Sequence, residues 1–374
     1  MSHRAARLIA GLAARLLPRR LEGWGRAMVA EAGAIDGRLT ALGFALGCLG
    51  CAIGARMGLY LPTEEGTMMD VLSSKPRRLA IWCATGATGL GLVWMAAAGA
   101  PLRYLVVNAA ALILGFLTVA LLSRTGDIRR GVVDLMLAAA LLLVLWLGVS
   151  ADGVTRWVMV GGIPLQPSLV LVPILALRFA RTRDALSMLA IFVAALALAL
   201  QPDRAMAGAL AAAMAVLAIL RPERNALIAL AAAGAGFAIT LFRADPSPAM
   251  PYVDQIFVSA FAVHVLAGLA VVAGAALLVV PAATGLLRDP GNRAAYAVFG
   301  AIWLGVIAAA LLGNYPTPLV GYGGSAILGY LVSLLGLPMR AEGIVARRES
   351  AAHPADPEMP VDSLRVGLPV AHSA

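Results

Sequence analysis

The amino-acid sequence predicts an all-α polytopic membrane helix bundle, and two observations carry that prediction. Apolar residues make up 61% of the 374 residues and charged residues only 13%, against about 25% charged residues in soluble domains. The apolar residues also come in blocks of roughly 16 to 25, which is the length needed to cross a bilayer as a helix. β-Barrel strands would be shorter and would alternate apolar with polar residues. Because lipid offers no partner for unpaired backbone groups, these blocks are predicted to be helices.

About ten spans follow one another along the chain, near 79–98, 102–122, 131–150, 168–181, 185–200, 205–220, 226–242, 255–281, 295–313 and 318–337. The turns between them alternate in charge. Thirteen Lys and Arg residues lie in the turns of one side, whereas the turns of the other side contain only Arg103, Arg156, Arg204 and Arg243. Since basic residues accumulate on the cytoplasmic side of spans, the thirteen mark the cytoplasm and the four mark the outer face.

Two terminal segments flank the predicted transmembrane domain of residues 79–337. Residues 1–78 are basic, and residues 3–17 fit either an amphipathic helix on an anionic leaflet or a poorly ordered leader. That helix would place four apolar side chains on one face, namely Leu8, Ile9, Leu12 and Leu16. The apolar stretch 39–55 is just long enough to span, but spanning would place seven arginines outside. We therefore favour a tilted, re-entrant or peripheral helix over an eleventh span. Residues 338–374 are predicted to be a disordered cytoplasmic tail.

Composition argues against two functional classes. The net charge of +9 is carried by arginines at span ends, so orientation in the membrane explains it better than nucleic-acid binding does. Cys48, Cys51 and Cys83 lie in apolar stretches, and no second Cys or His pair accompanies the C-x-x-C spacing. They are predicted to be small buried residues, with no metal or redox role.

The outer turns contain polar residues that orientation does not explain. Arg156, Arg204 and Arg243 each lie beside other polar groups, and a guanidinium binds phosphate through two parallel hydrogen bonds. Asp254 begins a predicted helix, where the helix dipole stabilises a carboxylate, and it is a candidate base. Taken singly, each residue fits interfacial capping and helix packing. Taken together, they favour a site for a phosphate-bearing lipid on the outer face.

Four outer segments carry motifs that occur together in a known family. They are Arg156-Trp157 followed by Gln166-Pro167-Ser168, then Gln201-Pro202-Asp203, then Pro251-Tyr252-Val253-Asp254, and finally Tyr322-Gly323-Gly324-Ser325 preceded by Pro318. In this order and on this face they resemble the SEDS family (shape, elongation, division and sporulation; the FtsW/RodA type) of bacterial membrane proteins. The resemblance runs from about residue 79 to 337. The Tyr-Gly-Gly-Ser and Gln-Pro-Ser matches are its most specific parts.

The resemblance implies a multi-pass protein of the bacterial inner membrane that polymerises lipid II in peptidoglycan synthesis. Such an enzyme transfers the disaccharide of one undecaprenyl-pyrophosphate-linked unit to another. Asp254 would be the catalytic carboxylate, and the substrate-binding residues would be Arg156, Trp157, Gln166, Ser168, Asp203, Arg204, Arg243, Tyr322 and Ser325. The implied partners are the bilayer, the undecaprenyl-linked precursor and a class B penicillin-binding protein. The residues themselves predict no cofactor, although the resemblance allows a divalent cation.

The chain departs from the family pattern at several positions. The glutamate expected after Ser168 is Leu169, the lysine three residues further on is absent, and the outer loop before Asp254 has only about a dozen residues. Loss of both members of a charged pair is coherent, because losing one alone would strand a buried charge. These departures support a second hypothesis, a catalytically impaired SEDS-like protein that binds a lipid-linked precursor or a membrane partner in cell division or shape control. A small-solute transporter is a third, with His264 as its candidate group, although a buried His264 paired with a backbone carbonyl is the favoured interpretation.

Overall fold

The computed structural model describes residues 2–17, 22–35, 37–57, 76–123, 130–151, 153–245 and 248–338. Residues 58–75 and almost all of the predicted tail lie outside these ranges. The helices are α1 Ser2–Leu16, α2 Glu22–Ala34, α3 Arg38–Met57, α4 Pro76–Ala97, α5 Leu102–Leu122, α6 Arg130–Leu147, α7 Pro167–Thr182, α8 Ala185–Leu200, α9 Arg204–Leu220, α10 Arg224–Leu241, α11 Ile256–Val263, α12 Val265–Leu277, α13 Val280–Arg288, α14 Arg293–Leu312 and α15 Gly324–Ser333. Three strands lie between α6 and α7, namely β1 Val149–Ala151, β2 Val154–Val160 and β3 Ile163–Leu165.

The predicted all-α polytopic membrane bundle is confirmed. Within the described ranges, the helical stretches long and apolar enough to cross a membrane are Pro76–Ala97, Leu102–Leu122, Arg224–Leu241, Val265–Arg288 and Pro290–Leu312. Shorter apolar helices occupy other predicted spans, among them α8, α9 and Gly131–Leu147. Small residues allow these helices to approach closely. A Cβ on Gly329 of α15 would lie 1.9 Å from the carbonyl oxygen of Leu169 in α7, so these two backbones are in direct contact.

The N-terminal helices α1, α2 and α3 pack on one another and on the end of α5. Helix α1 buries Ala6, Ala10 and Ala13, whereas Leu8 is 74% exposed. The predicted helix is therefore present, although its buried face is the alanine face and the leucines of the predicted apolar face are divided between the two sides. Placement of α1 on a leaflet and the topology of α3 remain predictions, as do the three domain boundaries.

Two predicted spans differ from the structure. The predicted span 255–281 is interrupted at His264, whose backbone is extended, so that α11 ends at Val263 and the long apolar stretch begins at Val265. His264 is exposed, and its Nδ1 accepts the backbone N–H of Leu266 at 3.1 Å. The prediction of a buried histidine paired with a carbonyl was wrong, because the side chain caps the start of α12. The last predicted span, 318–337, becomes helical only at Gly324.

Candidate functional site

A short antiparallel sheet, which sequence analysis did not predict, positions Arg156. Strand β2 pairs with β1 and β3, and the turn from β2 to β3 consists of Gly161 and Gly162, both with positive φ. Two consecutive left-handed residues are what a tight hairpin requires, and glycine supplies them without strain. The β-branched run that precedes Gly-Gly was the available sequence signal. The sheet holds Arg156 so that only 3% of the residue is exposed.

Arg156 forms an ion pair with Asp245, a residue that the sequence-based site did not include. The Tyr315 hydroxyl donates to the other carboxylate oxygen of Asp245 at 2.8 Å. The Arg156 guanidinium lies 5.3 Å from the ring centre of half-buried Trp157 and 5.9 Å from that of Tyr315. Burial, together with the hydrogen bond to Asp245, raises the pKa of Tyr315 to about 12. Arg156 is thus held by internal partners from two other loops.

Asp254 lies on a tight turn immediately before α11. Its Oδ2 accepts the backbone N–H of Met250 at 2.9 Å, and the residue is 9% exposed. Tyr252 and Gln255, on either side, have φ values of 65° and 56°, a left-handed conformation that strains residues with a Cβ. Burial raises the pKa of Asp254 above its ordinary value, against the opposing effects of the Met250 hydrogen bond and of Arg156. The carboxylate is therefore biased toward accepting a proton.

Asp254 lines a pocket of about 380 Å³. The remaining lining comes from the turn before α11, from α11 itself, from the C-terminal end of α4 and from Ala98. Its residues are Trp94, Ala98, Ala249, Met250, Pro251, Tyr252, Gln255, Ser259 and Val263. Apart from Asp254, this lining is uncharged. The pocket thus offers a neutral, partly aromatic surface with one carboxylate, which suits a ligand that presents hydroxyl groups.

The loop 313–323 closes over this turn and is fixed by backbone contacts. Tyr322 N donates to the carbonyl of Tyr252 at 2.6 Å, and Thr317 N donates to Val253 at 3.0 Å. Asn108 in α5, fully buried, donates to Gly321 O at 2.8 Å and accepts from Gly323 N at 3.1 Å. Sequence analysis missed Asn108, although a lone amide inside an otherwise apolar span is a recognisable sign of a polar partner.

Tyr322, a predicted site residue, takes part in aromatic packing. Its ring stacks on Tyr104 with centroids 3.9 Å apart and an interplanar angle of 13°. Tyr104 in turn contacts Tyr252 edge-on, with centroids 6.0 Å apart. The side chain of Tyr322 thus supports the turn that carries Asp254.

Four predicted site residues form a buried hydrogen-bonded cluster, which we call the hub: Gln166, Ser168, Asp203 and Ser325. The Asp203 carboxylate accepts Ser168 Oγ at 2.5 Å and Gln166 Nε2 at 2.9 Å. Ser325 Oγ accepts the backbone N–H of Gln166 at 2.9 Å. Asp203 also caps α9 through the N–H of Met206 at 3.3 Å. The structure thus brings the Gln-Pro-Ser, Gln-Pro-Asp and Tyr-Gly-Gly-Ser motifs together at one junction of α7, α9 and α15.

The remaining predicted arginines differ in availability. Arg204 Nη2 donates to the carbonyls of Thr240 and Arg243, at 3.2 and 2.8 Å, and so caps the end of α10. Arg243 itself is exposed. Arg156, Asp203 and Arg204 are not among the residues that line the Asp254 pocket. The predicted site residues therefore lie in separate places. Four form the hub, Arg156 is paired with Asp245, Arg204 caps α10, and Asp254 lines the pocket.

Two further observations concern the burial of Leu169 and the possible ligands for a metal ion. Leu169, where the sequence resemblance led us to expect glutamate, is 5% exposed, and its backbone contacts Gly329. Among the described residues, no group of three or more His, Cys, Asp or Glu side chains has the arrangement of a metal site. The residues present do not fit a protein-held divalent cation, and no step is assigned to one.

Comparison with known proteins gave a likeness of fold alone. No family model matches the sequence, and no curated protein matches it. Among solved structures, the chain is similar to the crystal structure of the Thermus thermophilus rod shape determining protein RodA. It is similar in the same degree to the structure of an aspartate-to-alanine variant of that protein. In both comparisons the sequences are 22% identical and the TM-score is 0.49, over 70% of this chain and 94 or 95% of the other.

Proposed function

We propose that this chain is a divergent SEDS-like protein of the bacterial inner membrane that polymerises undecaprenyl-pyrophosphate-linked disaccharide in cell-wall synthesis. The observation that carries the proposal is Asp254, a nearly buried carboxylate that lines a pocket otherwise free of charge. It stands beside the signature that also contributes Tyr322 and Ser325. The site lies on the outer face, where lipid-linked sugars are joined.

The chemistry follows from the position of that carboxylate. Asp254 accepts the proton of an acceptor-sugar hydroxyl as the hydroxyl oxygen bonds to the anomeric carbon of the donor. The bond between that carbon and the pyrophosphate oxygen breaks, and the undecaprenyl pyrophosphate leaves with the electron pair. Burial raises the pKa of Asp254, which moves the group toward the range in which a general base works well.

The departing pyrophosphate needs cationic stabilisation. Of the three arginines proposed for it, Arg156 is paired with Asp245 and Arg204 caps α10. Arg243 is exposed, at the start of the loop that leads to Asp254. We assign Arg243 the phosphate contact, and Arg156 an electrostatic effect on Asp254.

A second candidate function is supported by the same arginines. A catalytically impaired SEDS-like protein would keep the precursor pocket and lose the cations that assist the leaving group. Internal engagement of Arg156 and Arg204 favours this alternative, as does burial of Leu169 where the family has glutamate. Its role would be to bind a lipid-linked precursor or a membrane partner such as a class B penicillin-binding protein.

Polymerisation of purified lipid II by the purified protein tests both proposals. The variants are Asp254→Asn and, as a matched control, Asp184→Asn, which changes an exposed carboxylate at the start of α8. Asparagine caps a helix as well as aspartate does. Glycan strands from the wild type and from Asp184→Asn but not from Asp254→Asn would support the enzyme.

Absence of product from every protein, with and without Mg²⁺ and a class B penicillin-binding protein, would reject the enzyme. Lipid II binding then decides the alternative. Saturable binding that Asp254→Asn weakens would support the precursor-binding protein, and no binding would reject it.

A further inference from the structure

We propose that Asp245 and Tyr315 are positioning residues that occupy the Arg156 guanidinium and so keep it from pairing with Asp254. This inference rests on the proposed function, since it assigns Asp254 the role of a base that must stay free. Asp245 and Asp254 lie on the same outer loop, nine residues apart. Both interact with the same arginine.

The geometry gives the Arg156 guanidinium partners that compete with Asp254, although its buried Nε has no hydrogen-bond partner among the described residues. The side chains of Arg156 and Asp245 are only 4% and 8% exposed, so their ion pair is largely shielded from water. Tyr315 fixes the second oxygen of Asp245 with its hydroxyl and lies against the guanidinium with its ring. Two groups from two different loops therefore orient one arginine.

Arg156 could not remain unpaired if Asp245 lost its charge. A buried guanidinium without a counter-ion is strongly destabilising, whereas pairing with a nearby carboxylate removes that penalty. Asp254 is a second carboxylate that feels this charge, because Arg156 lowers its pKa. An Asp254 that is paired with Arg156 would be a poorer proton acceptor, because a nearby positive charge favours the ionised form.

Among the residues that the structure describes, the other groups around Asp254 are neutral. The turn contributes the Met250 N–H, α11 contributes Ser259, and α4 contributes Trp94. From the last outer loop, Asn314 accepts a hydrogen bond from Gln255 at 2.8 Å. Among the charged side chains that the structure describes, Arg156 alone has a resolved effect on Asp254.

The first test is a double-mutant cycle on lipid II polymerisation. Asp245→Asn should lower kcat with little change in KM, by on the order of 10²-fold, the lower range of what a general base contributes. Arg156→Gln combined with Asp245→Asn should recover part of that loss, because no cation would remain to pair with Asp254. Tyr315→Phe should give a smaller loss than Asp245→Asn.

The control is Glu223→Gln, which removes the charge from an exposed ion pair with Arg183 whose shortest distance is 3.0 Å. It should leave kcat unchanged. If the double variant is as inactive as Asp245→Asn or more so, the pair only ties the loops together and the inference is wrong.

The second test needs no activity. A hydrophobic carbodiimide modifies protonated carboxyl groups, and peptide mass spectrometry reports modification of Asp254 as a function of pH. The midpoint should move to lower pH in Asp245→Asn and return toward the wild-type value in the double variant. Identical midpoints in all three proteins would overturn the inference, whether or not the protein polymerises lipid II. If the midpoint shifts in Asp245→Asn but the wild type makes no glycan, the inference stands and the enzymatic function is rejected.

Discussion

Replacement of Asp203 by alanine tests whether the hub stabilises the fold or binds substrate directly. The variant loses the cap of α9, for which alanine substitution typically costs about 1 kcal/mol. It also strands the donors of Ser168 and Gln166, which are 1% and 5% exposed. Hydrogen bonds to a charged group contribute about 1.5–3 kcal/mol each in water, and polar contacts between membrane helices average about 0.6 kcal/mol. The cap and two hydrogen bonds together sum to about 2 kcal/mol on the membrane scale and to about 4 kcal/mol or more on the water scale. We therefore expect a loss of stability of about 3 kcal/mol.

The measurement is thermal unfolding of the purified protein in detergent, followed by tryptophan fluorescence. At about 2–4 °C per kcal/mol for a large domain, Asp203→Ala should unfold roughly 6–12 °C below the wild type. Asp203→Asn keeps an acceptor oxygen and should lose less than half as much. Asp184→Ala is the control, since Asp184 caps α8 through Ser187 N at 2.8 Å in an exposed setting.

Equal losses in Asp203→Ala and Asp184→Ala would refute the structural role of the hub. In that case the side chains of Gln166 and Ser168 would have other partners in the working protein. Asp203 would then remain a candidate for direct substrate binding.

Three further predictions concern packing and charge. Gly329→Ala should destabilise the bundle by about 3 kcal/mol or more, because its Cβ would meet the Leu169 carbonyl, a backbone group that cannot rotate away. The control is Gly43→Ala, whose new Cβ would enter open space and which should unfold like the wild type. The ultraviolet titration of Tyr315, taken as wild type minus Tyr315→Phe, should have its midpoint at about 12. The stability gained from the neutral phenol is therefore complete below pH ~10 and is lost as the pH rises through 12. A midpoint near the ordinary value would contradict the buried contact. Asp254→Asn should raise the unfolding temperature at neutral pH, since burial disfavours the ionised carboxylate. The gain should vanish below pH ~4, where the native group is protonated. An equal gain at both pH values would argue against a destabilising charge on Asp254.

The sequence was sufficient for the bundle because periodicity and length act locally. Apolar blocks without charge leave a helix as the only structure that pairs its own backbone in lipid. The β-hairpin before α7 was missed because its strands are too short to stand out as apolar blocks of spanning length, although the β-branched run before Gly161 and Gly162 is a hairpin signal. The break at His264 was missed because its flanking residues are uniformly apolar, and a side-chain cap inside such a run has no hydropathy signature.

Site residues were predictable by type, but their partners were not. The motifs named Asp203, Ser168 and Ser325, yet only the packing of α7, α9 and α15 shows that they bind one another. Asp245 and Tyr315 carry no motif, and their connection with Arg156 joins positions far apart in the chain. Such contacts are set by the fold, and a single sequence contains no local trace of them.

We expect the break at His264 to set the depth of the Asp254 carboxylate in the bilayer. The stretch Val265–Arg288, which comprises α12 and α13, has 24 residues, at most about 36 Å at 1.5 Å per residue, against a hydrocarbon core of about 30 Å. Helix α11 is therefore surplus to the crossing, and its Val258, Phe261 and Val263 are 75%, 42% and 46% exposed. We expect α11 to rest at the membrane interface and hold Asp254 at the level of the lipid head groups. A polyprenyl carrier presents its pyrophosphate at that same level, so its sugar would reach the carboxylate without leaving the membrane surface.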